Sequence, residues 1–122
     1  MSKPFSVAAR FRSATHALAG LKTLLIDEHN ARVHLAATVL VIVLGLVFRI
    51  DALEWLILII VISLVWITEA LNTALENLAD HVCATQDPLI GKCKDTAAAA
   101  VLLAAVCAAL CGAIIFVPYL LL

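Results

Sequence analysis

Charge is scarce in this chain. Charged residues fill only 14% of its 122 positions, and none occurs after Asp95, while hydrophobic residues make up 65%. That balance lies far from a soluble domain. A chain this short cannot hide so much apolar surface within its own fold, so the expected solvent is lipid. A basic excess is also missing: the formal net charge is −1, which argues against a nucleic-acid partner. Short alternating segments of the kind that build a membrane β-barrel are absent. The opening stretch MSKPFSVAARFRSATH has no apolar core, so no cleavable signal peptide is expected. Four cysteines are present, but Cys107 and Cys111 lie four apart in an apolar segment with no histidine nearby. Small-residue packing is expected there rather than a thiolate metal site.

Long apolar runs take the place of these missing features. Val33 to Phe48 is interrupted only by His34, Trp55 to Thr68 is the second run, and Thr96 to Leu122 carries no charge. Each supplies about 20 residues once its ends are extended or tilted, which is what a spanning helix needs. Ahead of them Phe11, Ala14, Leu18, Leu21 and Leu25 recur at spacings of three and four, with Arg10, Arg12, Ser13 and Lys22 interrupting. That pattern predicts a helix lying in the membrane interface. The expected architecture is an all-α membrane protein forming a single domain over 1–122. Its parts are a surface helix (5–29), a first span (32–50), a second span with a cytoplasmic extension (52–82) and a third span (94–121).

Basic residues set the orientation. Lys3, Arg10, Arg12, Lys22 and Arg32 precede the first span, Arg49 alone follows it, and Lys92 and Lys94 lie between the second and third. The N-terminus and the second loop are therefore expected in the cytoplasm, and the C-terminus outside. Trp55 and Tyr119 are then expected near the outer interface. His81 to Cys93, with Pro88 and Gly91, reads as the cytoplasmic loop.

Polar residues concentrate in EALNTALENLAD, directly after the second apolar run. Glu69, Asn72, Thr73, Glu76 and Asp80 share roughly 100° of helical arc. Carboxylates at a membrane edge are costly and repel one another, so they are retained where protein, water or a cation faces them. Asp27 and Glu28 end the surface helix on the same side, and Lys92, Lys94 and Asp95 open the third span. Hard oxygen ligands such as Glu28 and Glu76 suit Mg²⁺ completed by substrate phosphates. Lys94 can steady phosphate oxygens, and Glu69, set deeper, can take a proton from a lipid hydroxyl. Phosphoryl transfer from a nucleotide to a lipid alcohol fits that mixture. Neither a Walker motif nor a protein-kinase signature occurs. On the residues alone, a small proton-coupled transporter or an ion-conducting oligomer stays in contention.

EALNTALENLAD followed by KCKDTAAAAVLL resembles the prokaryotic diacylglycerol kinase family, with its pattern E-x-x-N-[ST]-A-[IL]-E-x-x-x-D and then K-D-x-x-[AGS]-x-A-V. The likeness extends upstream through Gly20 and Glu28 and covers essentially the whole chain. It implies a homotrimeric bundle in the bacterial cytoplasmic membrane, with composite sites between protomers, using ATP and Mg²⁺ to phosphorylate a membrane lipid alcohol. By that resemblance Glu69 matches the catalytic base, and Glu28 and Glu76 match the metal carboxylates. Glu28, Glu76, Lys94 and Asp95 then form the nucleotide side, with Asn72 and Asp80 supporting.

Some positions depart from the family. His16 stands where many relatives have an aromatic residue near the nucleotide. CATQDPLIG does not reproduce the acid-plus-histidine loop of the Gram-negative members, so Thr85, Gln86 and Asp87 receive no role. Cys93 replaces a common alanine. DEHNARVH, from Asp27 to His34, is similar to the E-x-N-x-R-[IV]-H stretch of the branch that favours undecaprenol. The resemblance therefore leans to undecaprenol, with diacylglycerol as the alternative acceptor.

Overall fold

The computed structural model describes residues 2–122. They form four helices: α1 (Val7–Asp27), α2 (His29–Phe48), α3 (Ala52–Val82) and α4 (Pro88–Leu120). There is no strand among the described residues. The last three helices are long and apolar enough to cross a membrane. α3 and α4 pack along one another as the principal pair, and α1 and α2 lean on them more lightly.

Each helix end has a local cause. Ser6 caps α1, its hydroxyl accepting from the Ala9 N–H at 3.2 Å. α1 and α2 are separated by one residue, Glu28, in extended conformation. Arg32 makes this sharp corner possible from the following helix. Its Nε donates to the Leu25 carbonyl at 3.0 Å and its Nη2 to that of Ile26, satisfying carbonyls that the end of α1 leaves open. α2 ends at Arg49, which takes the left-handed conformation with φ 53°. α3 starts from a capping box: Asp51 Oδ1 accepts from the Glu54 N–H at 2.9 Å, and Glu54 Oε2 accepts from the Asp51 N–H at 3.0 Å. It then runs unbroken for 31 residues, about 46 Å at the helical rise, longer than the roughly 30 Å hydrocarbon layer. One helix can therefore carry both an apolar span and the polar stripe beyond it.

The start of α4 corrects a sequence expectation. The loop expected over His81 to Cys93 is confined to Cys83–Asp87, and the third long helix begins at Pro88 rather than at 94. Asp87 and Pro88 are helix-start residues here. Asp87 Oδ1 accepts from the N–H groups of Leu89 and Ile90 at 2.8 and 3.2 Å, and Pro88 fills a first-turn position where no N–H is needed. Lys92 and Lys94 thus ride on a helix. The apolar core, built on Leu58, Val61, Ile115 and Phe116, lies at the opposite end of the bundle. There Tyr119 donates to Glu54 Oε2 at 2.7 Å, and Trp55 lies against Gly45.

α1 buries little. Only Leu24 is enclosed, at 5% exposure, whereas Phe11 and Leu18 of the apolar stripe are 71% and 65% exposed. The free part of the stripe is its N-terminal half, because Leu25 is half-buried and Leu21 borders the cleft towards α3.

Candidate active site

Glu69 is the most enclosed polar residue, at 1% exposure. α3 presents it to α2, where the Nε2 atom of His34 lies 3.4 Å from its Oε2. The pair lacks the alignment of a hydrogen bond, and Oε2 has no hydrogen-bond partner among the described residues. One turn along, Asn72 and Thr73 are also buried, and their Oδ1 and Oγ1 atoms are likewise unpartnered. Buried polar atoms nearly always find partners, so three such oxygens on adjacent turns mark a place built for something other than stability. Asn72 Nδ2 donates to Glu76 Oε1 at 3.4 Å, and Glu76 is half-buried. At the end of the stripe, Asp80 is exposed and accepts from Lys94 Nζ at 2.5 Å. The expected start at 94 put Lys94 at the first position of the third span; with α4 beginning at Pro88 it lies well inside the helix and reaches Asp80 of α3.

Two clefts flank this ridge. On the α1 side a cleft of about 630 Å³ is lined by Asp27 and Glu28 opposite Thr73, Ala74 and Asn77. On the α4 side one of about 530 Å³ sets Thr68, Asn72 and Leu75 against Lys92, Thr96 and Ala97. A third, about 500 Å³, opens where Asp80 and Lys94 meet the Cys83–Asp87 loop. Asn72 thus borders the α4-side cleft and Thr73 the α1-side cleft.

Within one chain the expected residues come together only in part. Glu69, Asn72, Glu76 and Asp80 share the ridge of α3, and Lys94 joins it through Asp80. Glu28 lines the α1 cleft with Thr73, but among the described residues no hydrogen bond or ion pair joins it to Glu76. Asp95 is exposed on α4. No group of three or more His, Cys, Asp or Glu side chains is gathered closely enough to hold a metal ion by itself among the described residues. The donor chemistry nonetheless fits Mg²⁺: Glu28 and Glu76 offer hard carboxylate oxygens, and this ion usually takes only one or two carboxylates beside phosphate oxygens and water.

Sequence reasoning passed over His34 and its neighbours. His34 was visible as the one ionisable residue inside the first apolar run, and such residues usually mark function. Its ring meets Trp66 edge-on, with centroids 6.5 Å apart and an interplanar angle of 67°. The Trp66 indole N–H donates to Thr38 Oγ1 at 3.0 Å, and the Thr38 hydroxyl donates to the His34 carbonyl at 2.7 Å. Both Trp66 and Thr38 had read as ordinary parts of apolar spans.

Comparison with known proteins identifies the family. Residues 15–116 match the family described as "Prokaryotic diacylglycerol kinase". The chain is 34% identical over 110 residues to the undecaprenol kinase of Bacillus subtilis, covering 90% of this chain and 89% of that protein. It is 36% identical over 110 residues to the diacylglycerol kinase of a Synechocystis species, covering 89% of this chain and 63% of the relative. It is 33% identical over 97 residues to the diacylglycerol kinase of Escherichia coli, with 80% of each chain covered. With a polar stripe that starts at the buried Glu69 on a membrane-length helix, and a family match running from α1 almost to the end of α4, the chain belongs to the prokaryotic diacylglycerol kinase family of lipid kinases.

Proposed function

We propose that the protein transfers the γ-phosphate of ATP to the primary hydroxyl of undecaprenol, giving undecaprenyl phosphate. The observation that carries the mechanism is Glu69: a carboxylate enclosed at the end of an apolar run, with an oxygen that has no hydrogen-bond partner among the described residues. A lipid hydroxyl entering from the bilayer is the kind of group such a base serves. As the hydroxyl oxygen forms its bond to the γ-phosphorus, Glu69 accepts the hydroxyl proton and the bond to the β-phosphate oxygen breaks, releasing ADP. Burial of Glu69 keeps water from competing as the acceptor.

Glu28 and Glu76 are the residues to hold Mg²⁺, which would offset phosphate charge when bound. Asn72 steadies Glu76 through its amide. Lys94 and Asp95 belong to the nucleotide side. The ion pair of Lys94 with Asp80 is open to solvent and so is readily exchanged for a phosphate oxygen. The phosphate-handling residues lie on the side that the basic residues place in the cytoplasm, where ATP is found; α1 lies in the interface with its apolar stripe towards lipid. One chain leaves Glu76 half-open and Asp95 exposed, so we take the working unit to be a homotrimer in the bacterial inner membrane, with sites shared between protomers.

The preference for undecaprenol rests on the Asp27–His34 stretch and the Bacillus relative. Diacylglycerol is the second reading, favoured by the names of the Synechocystis and E. coli relatives. Purified protein in micelles with γ-labelled MgATP, offered each lipid separately, decides between them. Faster labelling of undecaprenol is expected. Faster labelling of diacylglycerol would reverse the substrate assignment, and label in neither lipid would defeat both.

A further inference from the structure

We propose that His34 is a positioning residue for Glu69, its Nε2–H fixing the carboxylate for proton abstraction. The inference rests on the reading of Glu69 as the base. The Nε2 atom of His34 lies 3.4 Å from Glu69 Oε2 and is the only basic group recorded near that buried oxygen among the described residues. A contact of this length in a substrate-free enzyme is what shortens when the reactants are in place.

The histidine is itself held. Its ring rests edge-on against Trp66, which is tied through Thr38 back to the His34 carbonyl. Trp66 precedes Glu69 by three residues, so the aromatic support and the carboxylate occupy the same face of α3. α2 and α3 are therefore joined by a closed circuit whose free end is Nε2. The ring also borders a cleft of about 240 Å³ between α2, α3 and α4, bounded by Val65, Ala105 and Ala108, so space exists for the short movement that closes the gap. Held at Oε2, the carboxylate keeps one rotamer and offers Oε1 to the lipid hydroxyl. A side chain with no donor at this place leaves Glu69 ionisable but free to turn, and misplacement of about 1 Å costs about 100-fold in rate.

The test uses the full chain in micelles with MgATP and undecaprenol, comparing His34→Leu, His34→Asn and His34→Gln with and without Glu69→Gln. In His34→Leu, kcat is expected to fall about 10- to 100-fold, with KM for MgATP changed less than about twofold. The longer amide of His34→Gln can donate at the same place and is expected to recover most of kcat; the shorter one of His34→Asn cannot reach and is expected to match His34→Leu. On the Glu69→Gln background the histidine substitutions should cost nothing further, because they act through a base already removed. Wild-type kcat in both His34→Leu and His34→Asn would overturn the proposal, and if the leucine variant does not fold, the asparagine variant decides alone. Equal losses in the glutamine and asparagine variants at equal thermal stability would overturn it too. Wild-type turnover in Glu69→Gln alone would instead remove the base assignment beneath it.

Discussion

Replacing Glu69 by Gln keeps the volume of the side chain and takes away its ability to accept a proton. The residue is 1% exposed, so the bulk solvent cannot stand in for it easily. A positioned general base contributes about 10²- to 10⁴-fold, which corresponds to about 3–5 kcal/mol in the activation barrier. The Glu69→Gln variant is therefore expected to lose at least about 100-fold in kcat. KM for MgATP should stay close to wild type, because Glu69 is not assigned to the metal. Thermal stability should hold or rise, since a buried carboxylate whose Oε2 has only one long contact is replaced by a neutral amide. Glu69→Asp supplies the second arm: it restores a carboxylate but withdraws it by one methylene, and is expected to fall about 100-fold as well. The assay is steady-state label transfer to lipid in micelles, with a melting curve on each preparation. A Glu69→Gln enzyme within tenfold of wild type, or one whose defect lies in KM for MgATP, would refute the reasoning.

Three other substitutions probe the parts around the base. Glu76→Gln is expected to raise the Mg²⁺ and MgATP concentrations needed for half-maximal rate by about tenfold or more, as losses of metal ligands and their supports do; an unchanged metal dependence in titrations would end its ligand role. Gly45→Ala places a methyl group 2.6 Å from Trp55 Cη2 and 3.2 Å from Ile50 Cδ1, and overpacking of this kind costs about 1–3 kcal/mol. Its melting temperature should drop while turnover per folded molecule is kept, and a melting temperature at or above wild type would contradict the packing seen at that end. Asp87→Ala removes the acceptor for the Leu89 and Ile90 amides and should cost about 0.5–2 kcal/mol. Hydrogen exchange at those two amides should accelerate, and unchanged protection would show that the cap is dispensable.

The long periodic features could be read from the sequence because they depend on local chemistry. Three apolar runs and a stripe at spacings of three and four are written directly in residue order, and α3 matches its expected limits of 52–82. Features made by a side chain from elsewhere were hidden. Arg32 read as a topology-setting charge, yet its guanidinium caps α1 and lets the corner narrow to Glu28 alone. Asp87 and Pro88 carry both turn and helix-start signals, and only the amides beyond them decide which applies. The partner of Glu69 required knowing that α2 packs beside α3 with His34 level with it. The polar stripe itself was legible. The two clefts beside Asn72 and Thr73 were not, because they depend on which helices lie to either side.

Asp95 raises the question of how many chains make one site. Lys94 turns inwards to Asp80 of the same chain. The next residue is rotated by about 100° around α4 and is exposed. A carboxylate so placed is free to reach a site on an adjacent copy. If the site combines Glu69 from one protomer with Asp95 from its neighbour, Glu69→Gln and Asp95→Asn chains, each inactive alone, should restore activity when co-assembled. Random mixing in equal amounts gives about a quarter of the sites both intact groups, since each is present with even odds in a symmetric ring. Activity near that fraction, appearing only after subunits are allowed to exchange, is the expected result. If the mixture stays as inactive as its components despite demonstrated exchange, both groups act within one chain.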